Sequence, residues 1–226
     1  MAGRLVNALG AATKTAAAFS DEATLRHMLR FEGALAHATA AAGLIPRKYA
    51  PIIEKACDAA LYDPAPLGEA ARRTATLTVP VVKALTAEVK KRNAGAAAYV
   101  HWGATSQDVL DTAMVLQLGE ALPPLVKDLH GIVGALAKLA KRHRTTAMLG
   151  RTLLQPATPL ALGQKIAGWA SDIDRATRRL AESFTETQIV EFGGASGSLS
   201  ALGTKAGPVM RVLARRLDLK LPPGPW

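Results

Sequence analysis

The stretch Tyr99-Val100-His101-Trp102-Gly103-Ala104-Thr105-Ser106-Gln107-Asp108-Val109-Leu110-Asp111-Thr112 divides the chain into two kinds of sequence. Thr105 or Ser106 stands where a helix needs an N-cap, and Asp108 follows at the spacing of a capping box. Beyond it Leu118, Leu122, Leu125, Leu129, Ile132, Leu136 and Leu139 recur in steps of four and three. That is a heptad seam, the pattern of long helices packed nearly parallel. Pro123-Pro124 interrupts the seam and is expected to kink or locally break the helix. A second seam runs through Leu162, Ile166, Trp169, Ile173, Ala176 and Leu180, and a shorter helix is expected over Ala206–Leu217.

Working back from His101, the pattern is shorter in range. Ser20 offers an N-cap, and Asp21 and Glu22 put negative charge on the first turn of a helix carrying Leu25, Met28, Leu29 and Leu35. Gly43 suits the C′ position and Pro46 prevents continuation. A second helix is expected over Pro51–Leu61, Asp63-Pro64-Ala65-Pro66 reads as a connector, and helical pattern resumes over Leu67–Lys91 with Pro80 opening a new segment. No run alternates apolar and polar residues long enough for a sheet, so the expected fold class is all-α. Residues 1–110 are expected to form an N-terminal helical domain, and 111–226 part of a long central helical bundle. The bundle helices have wide apolar stripes and few partners, so the bundle is expected to complete itself with other copies.

A chain of 226 residues can bury a substantial core. Hydrophobic residues at 49% and charged residues at 20% fit a globular protein rather than a disordered tail. No run approaches eighteen uninterrupted apolar residues, so no membrane helix is expected. The single cysteine, Cys57, excludes an internal disulfide and a cysteine metal cluster, and reads as a buried thiol rather than a nucleophile. The first twenty residues hold Arg4 and Lys14 without an acid, faintly like a transit peptide. They lack an apolar core for secretion, so a cytoplasmic location is expected. A net charge of +10 raises nucleic acid as a partner. The basic residues are spread along helical segments without interleaved aromatics, so no nucleic acid is expected to bind.

Three loops have the residues for chemistry. In His101–Asp108, Gly103 permits a close approach. The free N–H groups of the helix start, with two hydroxyls, can receive a carboxylate, and His101 can add a cation or a proton donor. The same residues equally describe a plain capped helix. In Gly150-Arg151-Thr152-Leu153-Leu154-Gln155-Pro156-Ala157-Thr158-Pro159, Arg151 has the planar fork that suits a carboxylate, and Thr152 and Gln155 can donate hydrogen bonds. The alternative is a proline-rich turn between helices. Phe192-Gly193-Gly194-Ala195-Ser196-Gly197-Ser198 has no preceding strand and no Gly-Lys-Ser/Thr, so it reads as a glycine-rich connector rather than a phosphate loop. His27, His37, His130 and His143 have no metal-ligand companions, and no metal is expected.

Together these three loops resemble two signature regions and a glycine-rich connector of the fumarase/aspartase superfamily. Tyr99–Asp108, Gly150–Ala157, Ala167-Gly168-Trp169 and Phe192–Leu199 are most similar to its carboxymuconate cycloisomerase branch. Phe19-Ser20-Asp21 and Ala41-Ala42-Gly43-Leu44-Ile45-Pro46 fit the beginning of that branch. The resemblance implies a fumarase/aspartase-type helical fold, a homotetramer, and active sites assembled from several subunits. The implied activity is lactonisation of 3-carboxy-cis,cis-muconate to 4-carboxymuconolactone in protocatechuate breakdown, without a cofactor and on a small tricarboxylate substrate. It assigns Thr105, Ser106, Gln107, Arg151, Thr152 and Gln155 to carboxylate binding, and His101 to charge stabilisation or proton donation.

Three departures qualify the resemblance. Leu153 stands where amino-acid and purine lyases of the superfamily carry a histidine, which argues against adenylosuccinate lyase. Ala75-Thr76 replaces a Gly-Asn pair ahead of Leu77–Val82. A third signature, a serine-rich loop, is expected beyond Trp226, so this polypeptide is expected to be nearly inactive by itself. The alternatives are a non-catalytic helical oligomerisation or carboxylate-binding protein, and another lyase of the superfamily.

Overall fold

The structure, a computed structural model, describes residues 13–224. The expectations for Arg4 and Trp226 lie outside the described residues. Helix α1 covers Thr13–Ala17, α2 Asp21–Ala41, α3 Ala50–Ala56, α4 Pro64–Thr74, α5 Thr78–Arg92, α6 Ala94–Ala97, α7 Ser106–Arg142, α8 Leu162–Thr187 and α9 Ala206–Leu217. Single 3-10 turns sit at Arg47–Tyr49, Ala59–Leu61 and Ser200–Lys205. Strands β1 (Ala147–Thr152) and β2 (Gln155–Ala161) form an antiparallel pair.

The all-α class holds, and several ends fall where the residue chemistry puts them. Ser20 caps α2 by accepting the Ala23 N–H at 3.1 Å, and Gly43 follows the helix at φ 76°. Helix α9 begins and ends as expected. Other readings need correction. The helix expected over Pro51–Leu61 stops at Ala56 and gives way to a 3-10 turn. Helix α7 runs through Pro123 and Pro124 without a break. The loop expected around Gly150–Pro159 is a two-stranded hairpin. Its prolines are tolerated because a two-stranded ribbon has free edges, where a missing N–H leaves no ladder bond unmade.

The chain forms two compact units, one of residues up to Ala121 together with those from Thr187 onward, the other Leu122–Glu186. A division at residue 110 does not describe this grouping, because the last forty or so residues share a core with the first helices. In that unit α2 is the central element, with Met28, Leu29, Phe31 and Leu35 fully enclosed. Helix α9 packs on it through Leu213 and Leu217, and Arg30 donates to the Leu217 carbonyl at 3.0 Å. Phe192 meets Phe31 edge to face, with centroids 6.3 Å apart. This contact brings the glycine-rich loop onto the core.

The Leu122–Glu186 unit holds the rest of α7, the hairpin and nearly all of α8. A tight corner joins α7 to α8: the Leu162 N–H donates to Thr146 and the Gly163 N–H to His143. Much of its heptad seam is left partly open among the described residues, with Ile132 45% and Trp169 49% exposed. Helix α7 also has the length and apolar character of a membrane-crossing segment, with a mean hydropathy of 1.2 in its most apolar window. Its first turns, however, bury Asp108 and Thr112 alongside Val109 and Ala113.

Phe31 fills the centre of the first unit, so its loss leaves an apolar void. Phe31→Ala is expected to destabilise that unit by about 3–5 kcal/mol. Urea unfolding followed by circular dichroism measures it, and a change below about 1 kcal/mol would show that the Phe31–Phe192 contact is not central.

Candidate active site

Short-range aromatic packing sets up the first signature loop. Tyr49 stacks on Tyr99 at 5.4 Å, and Tyr99 lies against Trp102 at 5.6 Å. Between these rings and the start of α7 the backbone turns sharply, with His101 at φ 60° and Gly103 at φ 77°. Gly103 is needed there for two reasons: its φ is left-handed, and a Cβ would come within 2.8 Å of Leu202 Cδ2. His101 is a non-glycine residue in the same region, a conformation that persists only when its surroundings impose it.

What imposes it is Glu32. This carboxylate, 1% exposed, lies on α2 and meets His101 Nδ1 at 2.6 Å. Burial alone would push the imidazole pKa down. The hydrogen bond and charge of Glu32, with the field of Asp108 added, outweigh burial and hold it above the ordinary histidine value. With Nδ1 engaged, Nε2 is the nitrogen available for proton chemistry. His101 and Ser106 line an open groove of about 230 Å³ with Thr78, Val79, Val82 and Lys83. Thr78 ties that wall together by donating its hydroxyl to the Ser106 carbonyl at 3.1 Å.

Thr105 precedes the first residue of α7, and the Asp108 side chain reaches back to accept its N–H at 2.8 Å. One arm of the expected capping box is therefore formed. The other Asp108 oxygen accepts the Gly193 N–H at 2.9 Å, which brings the glycine-rich loop beside the start of α7. Gln107 points to Asp111 on its own helix, Nε2 to Oδ1 at 2.6 Å, and is exposed. As it stands, Gln107 supports a helix face.

Arg151, Thr152 and Gln155 belong to the other unit. The hairpin brings them together at its tip, where Thr152 pairs with Gln155 and Arg151 with Pro156, all exposed. The turn between them is Leu153-Leu154, with φ 45° and 64° and exposures of 91% and 99%. Such a turn ordinarily selects Asn and Gly. Ala75 takes φ 53° after α4, and the Thr76 hydroxyl accepts the Thr78 N–H.

Elsewhere, Cys57 is a poor nucleophile: burial first, then the Glu32 and Glu54 charges, push its thiol pKa upward. Among the described residues, no three His, Cys, Asp or Glu side chains gather as a metal set. Glu32, Thr78, Lys83 and Glu191 were not singled out from sequence. Glu32 and Glu191 carried a signal, each being a lone acid in an apolar run (Phe31-Glu32-Gly33-Ala34-Leu35 and Ile189-Val190-Glu191-Phe192).

The Glu32–His101 pair makes a checkable statement about charge. A histidine pKa raised on folding contributes stability that is fully present below the unfolded value and is lost as pH rises through the folded one. Glu32→Gln is therefore expected to lower the pKa of His101 and flatten that part of the stability profile. Titration of the ring by NMR checks this, and an unchanged His101 pKa would refute the pairing.

Comparison with known proteins bears on the same segments. A lyase family model matches residues 7–225. A 3-carboxy-cis,cis-muconate cycloisomerase of Bradyrhizobium diazoefficiens is 50% identical over 210 residues, covering 93% of this chain and 47% of the relative. One from Pseudomonas aeruginosa is 46% identical over 225 residues, covering 100% of this chain and 49% of the relative. The crystal structure of a 3-carboxy-cis,cis-muconate lactonizing enzyme from Pseudomonas putida superposes with a TM-score of 0.93 at 44% identity, covering 99% of this chain and 51% of that one. The chain thus spans about half the length of the curated relatives it matches. With the family model matched over nearly its whole length, the chain belongs to the lyase family.

Proposed function

We propose that this chain supplies part of the active site of a cofactor-free cycloisomerase that lactonises 3-carboxy-cis,cis-muconate. The observation that carries the reading is the Glu32-held His101 beside the helix start at Thr105 and Ser106. This gathers an imidazole, two hydroxyls and the N–H groups of a helix start at one wall. Relatives 50% and 46% identical to this chain, about half of whose length it spans, carry that activity in their names.

In the reaction, one substrate carboxylate oxygen forms a C–O bond to an alkene carbon. The electron pair moves to the neighbouring carbon and spreads onto the carboxylate attached there. That carbon then takes a proton, giving 4-carboxymuconolactone. The protein's part is to stabilise charge on the acceptor carboxylate and to hold the ring-closing conformer. Thr105, Ser106 and Gln107 would bind carboxylate from the helix start, and His101 would offset the charge or supply the proton through Nε2. Arg151, Thr152 and Gln155 would come from a second copy of the chain. A homo-oligomer of this kind would also cover Leu153, Leu154 and the partly open seam of α7 and α8.

A second reading, a carboxylate-binding oligomer without turnover, is favoured by the exposure of Arg151, Thr152 and Gln155. Incubating the purified chain with 3-carboxymuconate, following its ultraviolet absorbance and its affinity by calorimetry, separates the two. The cycloisomerase reading expects lactone formation, slow in this chain alone, that Arg151→Ala lowers further. Binding without lactone formation favours the second reading, and neither binding nor turnover contradicts both.

A further inference from the structure

The pair formed by Asp108 and Glu191 takes part in no step described above, yet it is the most enclosed acidic pair beside the site. Asp108 is 1% and Glu191 4% exposed. Asp108 accepts four N–H contacts: Thr105 at 2.8 Å and Gly194 at 3.2 Å on Oδ2, Gly193 at 2.9 Å and Gly194 at 3.3 Å on Oδ1. One turn along α7, the Thr112 hydroxyl donates to the Glu191 carbonyl at 2.8 Å and accepts the Glu191 N–H at 3.1 Å. Two side chains four residues apart thus grip backbone from residue 191 to 194. Gly194, at φ 68°, is pressed so close that a Cβ would lie 3.2 Å from the Gly103 carbonyl. The two loops enclose a cavity of about 150 Å³ that includes Gly103, Ala104, Gly194, Ser196 and Ser200.

The Glu191 carboxyl is buried, with its Oε2 lacking a hydrogen-bond partner, and the Asp108 charge acts on it. Burial and a neighbouring negative charge both disfavour ionisation of such a carboxyl. Asp108 accepts N–H groups on both oxygens, which favours a carboxylate there, and Glu191 is the neutral partner.

We propose that Asp108 is a positioning residue, a carboxylate clamp that sets the spacing of the Thr105 and Gly193–Gly194 loops, with a neutral Glu191 buried near it. The proposal rests on the carboxylate-site reading only in what the loops are held for. The clamp itself follows from the hydrogen bonds.

Burial first, then the charges of Asp108 and Asp111, push the Glu191 pKa from about 4.5 up to about 8. On the far side, Asp108 acts on His101, itself held by Glu32. A carboxyl raised on folding favours the fold most below its unfolded pKa. That contribution declines as pH rises toward about 8, where Glu191 ionises beside Asp108.

Hydrogen exchange of the full chain, read by mass spectrometry on peptides spanning 105–112 and 189–199 and corrected for intrinsic rates, tests the clamp. In the natural protein, protection of the 189–199 peptide is expected to fall roughly tenfold between pH 7 and pH 9.5. Glu191→Gln stays neutral at every pH and is expected to hold that protection level across the range. Asp108→Asn is expected to lose it at pH 7. A flat profile in the natural protein, the same fall in Glu191→Gln, or full protection in Asp108→Asn would each overturn the proposal. Calorimetry with 3-carboxymuconate at pH 7 separates this from the functional reading: an intact clamp with no binding counts against the carboxylate site alone.

Discussion

A single buried carboxylate, Asp108, connects the parts of this protein that matter most. It caps the start of the longest helix, accepts N–H groups from a loop some eighty-five residues away in sequence, and adds to the field at His101. An anion removed from water is costly unless hydrogen bonds replace its hydration. Here the backbone N–H groups of Thr105, Gly193 and Gly194 do so, and that requirement fixes the loops relative to α7. The opposite side of the first loop depends on a second acid, Glu32, which holds His101 in a left-handed conformation. Two buried acids from distant segments therefore define one wall.

Much of this was legible in the residues. The capped start at Thr105, the helix ends at Ser20 and Gly43, and Ala206–Leu217 all follow from local chemistry, which a sequence displays directly. The heptad seam announced long helices but not a buried core, since periodicity reports which face is apolar and not what covers it. Ile132 and Trp169 stay half exposed for that reason.

The hairpin was hidden. Its strands contain Pro156 and Pro159, and its turn is Leu153-Leu154, so both usual signals of a hairpin were absent. The grouping of residues beyond Thr187 with the first helices was equally invisible, because Phe192 and Leu213 carry no mark of their partner on α2. Glu32 and Glu191 were readable only as oddities, acids set among apolar neighbours. Their meaning required the partner each one faces, which periodicity does not supply.

The His101–Ser106 wall of this lyase-family chain is proposed to receive a carboxylate. The most direct measurement is NMR mapping of the purified chain titrated with 4-carboxymuconolactone. The Thr105 and Ser106 amides and the His101 ring should shift together, saturably, with the His101 pKa rising as the anion binds. Saturable shifts confined to other surfaces, or no shift at His101 and Thr105 at millimolar ligand, would contradict it.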